Sequence, residues 1–133
     1  MFMLYQSFLL VMSQLASHGK ARVTIEDAEI FFQTTHKKNH YTLHTKVYSG
    51  EGYLPSQIRS VVSSSGVLRW QQNGAYLKLD PLTYSVYLFQ EVQMEEGKFI
   101  PFKHFLSDFC EVSAEWREIL KDFAEKDLHS STI

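Results

Sequence analysis

Residues 21–48 read ARVTIEDAEIFFQTTHKKNHYTLHTKVY, and the alternation in this stretch is that of a sheet. Val23 and Ile25 are separated by a polar residue, Ile30 and Phe32 alternate with Glu29 and Gln33, and Tyr41, Leu43, Thr45 and Val47 share one side of the last run. A period of two sends successive side chains to opposite faces, so each run is a strand with a buried side. Glu26 and Asp27 leave room only for a tight turn, and Lys37 to Asn39 supply a second. Three segments, 21–25, 28–35 and 40–48, are therefore expected to form an antiparallel meander, ended by Ser49, Gly50, Glu51 and Gly52.

Downstream, Pro55 suits the first turn of a helix carrying Ile58, Val61 and Val62, and the run Ser63, Ser64, Ser65, Gly66 weakens the helical signal. After Trp70, a turn at Asn73 and Gly74 leads into a hairpin, with strands at 75–79 and 85–92 joined through Asp80 and Pro81. Val86, Leu88, Gln90 and Val92 alternate with Tyr87, Phe89 and Glu91, so both faces of that last strand carry large apolar groups and both are expected to be covered. From Pro101 a long helix places Phe102, Phe105, Leu106, Phe109, Val112, Trp116, Ile119, Leu120 and Phe123 on one stripe and charge on the other. Upstream, Leu4, Phe8, Val11, Met12 and Leu15 recur at helical spacing, and Gly19 stands where a left-handed cap ends such a helix. Met3, Leu9 and Leu10 widen that stripe beyond what one packed layer needs. The order α-β-β-β-α-β-β-α gives the α+β class, an antiparallel five-stranded sheet flanked by three helices. Residues 1–128 are expected to form a single domain, with 129–133 as a frayed tail.

Composition narrows the function. The 133 residues are 44% hydrophobic and 21% charged, the profile of a packed domain. Thirteen Lys and Arg against fifteen Asp and Glu give a net charge of -2, without the basic footprint that direct nucleic-acid binding needs. One cysteine, Cys110, rules out an intrachain disulfide and fits a cytoplasmic protein. Residues 1–17 are uncharged, but Gln6, Ser7, Ser13 and Gln14 interrupt the apolar run, so an amphipathic helix is expected and no membrane partner.

No catalytic or metal constellation forms. His36, His40 and His44 are spaced by four, but across a hairpin His36 falls on a different strand from the other two, and no metal is expected. Cys110 and His104 lie six apart on a helix and share no face, so Cys110 reads as a structural thiol. Gly50 and Gly52 lack the Lys and Ser or Thr of a phosphate loop, and no cofactor is expected. The chain reads as a protein that is not an enzyme. What it has in surplus is apolar and aromatic surface, which usually marks a partner surface.

The element order, with a short helix beginning near Leu54 and Pro55, resembles that of the class I chaperones of bacterial type III secretion. Trp70 followed by Asn73, Gly74, Tyr76, Leu77 and Asp80 is similar to the stretch those proteins carry into their last hairpin. Phe105, Phe109, Trp116 and Arg117 resemble the terminal helix of the chlamydial members. The resemblance runs from about residue 3 to residue 125 and implies a cytoplasmic dimer that binds the N-terminal segment of a secreted effector or gatekeeper protein and keeps it secretion-competent. It places client contact on Leu4, Phe8, Val11, Leu15 and Phe31. It places dimerisation on the second helix and the following hairpin, here Ile58, Val61, Val62, Trp70 and Tyr76, as a homodimer or a heterodimer with a second chaperone. An alternative within the same group is a transcription modulator that binds a regulator or an RNA polymerase subunit, with Arg22, Lys37, Lys38 and Lys46 meeting an acidic partner.

Overall fold

The computed structural model of the protein describes residues 2–68, 75–94 and 98–131, with side chains for 5–63, 75–94 and 98–126. Its elements are α1 (Phe2–His18), β1 (Lys20–Ile25), β2 (Ala28–Thr34), β3 (His40–Tyr48), α2 (Ser56–Leu68), β4 (Tyr76–Asp80), β5 (Ser85–Gln93) and α3 (Phe99–Ser131). The strands make one five-stranded sheet in the order β1-β2-β3-β5-β4, which leaves β1 and β4 at its edges. The α+β class and the element order are those read from the sequence. The chain divides into two compact units, 1–45 with 90–110 and 46–89 with 111–133.

In the first unit α1 packs on β1 and β2. Phe8, Val11 and Leu15 face inward, and Val23, Ile30, Phe32, Leu43, Phe102, Leu106 and Phe109 complete the buried set. Phe102 sits among rings, 5.1 Å from Phe8, 6.1 Å from Phe32 and 5.4 Å from Phe105 between centroids. The β1–β2 turn is the tight one expected: Ile25 pairs with Ala28, and Glu26 and Asp27 both hold positive φ, 49° and 67°. That geometry suits Asn-Gly, and Glu in the left-handed region is strained. The double substitution Glu26→Asn with Asp27→Gly is expected to stabilise the chain by about 1 kcal/mol. A higher urea midpoint at unchanged slope would show it.

In the second unit α2 packs on β4. Pro55 accepts the first helical hydrogen bond, from Arg59 N at 3.1 Å. The serine run does not stop the helix. Ser63 Oγ donates to Arg59 O at 2.9 Å, so its hydroxyl is satisfied one turn back instead of competing for the backbone. Gly50 is buried where the loop after β3 meets the β4–β5 turn; Tyr53 N donates to Gly50 O at 2.9 Å and Gly52 N to Thr83 O at 3.2 Å. Arg117 Nε on α3 donates to Lys46 O at 3.2 Å, tying the helix to the end of β3.

Three expectations are refined. Helix α3 begins at Phe99, since a proline in the first turn forfeits no helical bond, and it continues to Ser131, because no Gly or Pro follows Pro101 to stop it. Ile119 turns outward at 40% exposure while its neighbour Leu120 is fully buried. Val86 and Leu88 on β5 are buried, whereas Tyr87 and Phe89 on its other face stay half-exposed. Lysine ammonium groups lie over them: Lys46 Nζ is 5.9 Å from the Tyr87 ring centroid and Lys78 Nζ 5.1 Å from that of Phe89.

Candidate functional site

The chemically distinctive place in the first unit is the outer edge of β1. The pairing of Lys20 with Gln33 through Ile25 with Ala28, and the bond from Thr34 N to Gly19 O, assign the odd-numbered residues of β1 to the ladder with β2. The N–H and C=O groups of Lys20, Arg22 and Thr24 therefore point away from the sheet. An open row of this kind is a template for another extended chain. One of its donors is occupied: Arg22 N donates to the side-chain Oε1 of Gln14, on α1, at 3.0 Å.

Beside this edge lies a groove of about 410 Å3, lined by Ser7 of α1, by Thr24, Ile25 and Glu26 at the end of β1, and by Leu106, Ser107 and Cys110 of α3. Cys110, which forms no disulfide, is half-buried in its wall. Its floor is apolar and its rim carries hydroxyls and one carboxylate, a shape that accepts an apolar side chain from a backbone bonded outside. Ser7, Leu10 and Gln14 follow one another at i, i+3 and i+7 along the helix face overlooking the edge. Leu10 is 49% exposed, and Tyr5 and Leu9 are exposed to the same degree. Tyr5 continues into Phe99 by an edge-on ring contact at 5.2 Å.

Of the residues expected to meet a client, Phe8, Val11 and Leu15 are buried in the chain's own core. They are the inner of two apolar stripes on α1, and Tyr5, Leu9 and Leu10 are the outer one. The side chain of Leu4 lies outside the described residues. Phe31 is half-buried on the sheet face away from α1, stacked on His44 at 4.9 Å with 9° between planes. Of the expected dimer residues, Ile58 is fully buried, Val61, Val62 and Tyr76 are half-buried, and Trp70 lies outside the described residues. Tyr76 stacks on Phe89 at 5.8 Å. Among the described residues no group of three or more His, Cys, Asp or Glu side chains is placed to hold a metal ion, and no helix is long and apolar enough to cross a membrane.

Burial lowers the pKa of His44 below its ordinary 6.5. The folded chain thus favours the neutral ring, and the unfolded chain takes up the proton first as pH falls through 6.5, so stability is lost in the window just below that value. His44→Phe keeps a ring on Phe31. It is expected to shrink the drop in Tm between about pH 7 and about pH 5.5; an unchanged drop would contradict this origin.

No protein-family model matches the sequence, and no curated protein matches it. Solved structures do match the fold. A chain in the crystal structure of the ExsC-ExsE complex superposes with a TM-score of 0.64 at 12% identity, covering 87% of this chain and 94% of that one. A chain of the HopA1-SchA chaperone-effector complex gives 0.59 at 14% identity, with coverage of 87% and 94%. A chain of the ExoT-SpcS complex from Pseudomonas aeruginosa gives 0.50 at 15% identity, with coverage of 86% and 98%.

Proposed function

We propose that the protein is a type III secretion chaperone, a non-catalytic cytoplasmic binder of the N-terminal segment of a secreted effector or gatekeeper protein. The observation that carries this reading is the outward row of main-chain groups on β1 beside an apolar groove and an exposed apolar helix face. A client held extended gains main-chain hydrogen bonds from the edge and selectivity from the groove, and remains unfolded while bound. The fold shared with a chain of a chaperone-effector complex supports the same reading. So does the sequence resemblance, whose Phe105, Phe109, Trp116 and Arg117 point toward the chlamydial members.

Client contact falls on Tyr5, Leu9, Leu10 and the β1 edge, with Leu4 on the same helix and Phe31 on the outer sheet face; Phe8, Val11 and Leu15 hold the helix in place beneath. Dimerisation, with a second copy or a second chaperone, falls on the set Ile58, Val61, Val62, Trp70 and Tyr76, of which Val61, Val62 and Tyr76 are half-buried and Ile58 is buried in the chain itself. Purification of the tagged protein from its own cells is expected to recover a type III secreted protein in a dimeric assembly, and loss of the chain to lower that protein's level and export. A monomer whose loss leaves every secreted protein unchanged would refute the reading.

The transcription-modulator reading has less support. Arg22, though exposed, is paired with Glu29 at 3.8 Å and Lys46 lies over the Tyr87 ring, which leaves Lys37 and Lys38 as the members of that basic set with no ion pair or ring contact among the described residues. A reporter that responds to overexpression and loses the response on Lys37→Glu with Lys38→Glu would favour it.

A further inference from the structure

We infer that Gln14 is a latch on the β1 edge, and that the segment which displaces it is an extended, alternately apolar strand with its acidic end beside Lys20 and Arg22 and its basic end beside Glu26 and Asp27. The inference rests on the chaperone reading and adds to it the residue that controls access and the charge order of the occupant. A free strand edge invites pairing with any exposed strand, including a second copy of the chain, so blocking it is an ordinary requirement of a soluble sheet. Here the block is one side-chain amide. The Gln14 oxygen accepts from Arg22 N at 3.0 Å, the bond that a carbonyl of an added strand would otherwise make.

A side-chain amide costs little to displace. Its hydrogen bond is re-formed by the arriving carbonyl, and the freed side chain regains its rotamer freedom. An incoming strand also makes bonds to Lys20 and Thr24, which Gln14 cannot. The latch thus favours long extended partners over single contacts.

Charge sets the direction. Lys20 and Arg22 are exposed at the start of β1, Lys20 as the main positive charge since Arg22 is already paired with the exposed Glu29 at 3.8 Å, and Glu26 and Asp27 are exposed at its end. For an antiparallel addition, matching the pairing of β1 with β2, the occupant has its basic residue toward its own N-terminus and its acidic residue toward its C-terminus. The groove beside Ile25 and Leu106 takes an apolar side chain near the basic end.

Two measurements test this. Amide exchange on the protein alone is expected to show Arg22 N–H exchanging about tenfold faster in Gln14→Ala than in the unmodified protein, with Val23 N–H unchanged. Gln14→Met, of equal length and without an acceptor, is expected to behave alike and controls for local unfolding. Unchanged exchange at Arg22 in both variants would overturn the latch.

The second probe is a blocked synthetic peptide of alternating Val and Thr, with Lys at its N-terminal end and Glu at its C-terminal end. It is expected to bind Gln14→Ala about fivefold more tightly than the unmodified protein, and its charge-reversed counterpart to bind both more weakly. Equal affinity for the two proteins, preference for the reversed peptide, or no binding to either would overturn the inference. None of those results would remove the chaperone reading, which is decided separately by recovery and export of a client in cells.

Discussion

Phe102→Ala is expected to cost about 3 to 5 kcal/mol, a large part of the roughly 5 to 15 kcal/mol that holds a domain of this size together. The ring is fully buried and touches Phe8, Phe32 and Phe105, so its removal strips α1, β2 and the first turns of α3 of a shared contact at once. Three rings anchored in different elements cannot collapse together into the vacated space, which places the cost at the upper end for large-to-small changes. Urea unfolding followed by circular dichroism measures it. Phe105→Ala removes the same number of atoms from a half-buried position and is expected to cost about half as much, since less apolar area returns to water. Equal losses at the two positions would contradict the placement of the core.

Gly50→Ala is the second large effect, at about 3 kcal/mol. A Cβ at this position would lie 2.8 Å from Tyr53 O and closer still to the carbonyl of Tyr84, and both obstacles are backbone. Neither can yield by changing a rotamer, so the loop after β3 must lift from the β4–β5 turn. Gly52 supplies the contrast. Its φ of 87° strains any other residue, yet a Cβ there meets nothing within 4 Å. Gly52→Ala is therefore expected to cost about 1 kcal/mol, from backbone strain alone. Measured in parallel, the pair separates steric exclusion from conformational preference; a larger loss at Gly52 than at Gly50 would contradict the assignment.

Much of the fold was legible because alternation and turn chemistry are local. The strands read from 21–48 match β1, β2 and β3 to within one residue at each end, and Asp80 with Pro81 marked the second hairpin correctly. The serine run in α2 was harder, because composition does not say whether a serine hydroxyl competes with the helix or bonds back to it as Ser63 does.

The candidate site was less legible. Helix α1 carries two apolar stripes, and which of them is buried depends on how Gly19 turns the chain onto β1, a tertiary fact absent from the spacing. Phe8, Val11 and Leu15, the residues on which the resemblance places client contact, are buried in the chain's own core, and Leu9 and Leu10, read only as surplus width, are exposed. Gln14 entered the sequence reading as a break in an apolar run, and its bond to Arg22 depends on the strand edge lying beside it. The groove draws its walls from α1, β1 and α3, so no contiguous stretch carries its signature.

The decisive measurement is site-specific photocrosslinking in the cells that make the protein, with the photoreactive residue at Leu10 and a control at the exposed Glu111 of α3, followed by mapping of the linked peptide. The expected result is a crosslink from position 10 into the N-terminal segment of a type III secreted protein, absent from the control. Crosslinks at position 10 that are confined to the chain itself, or none above the control, would mean that no client covers this helix face.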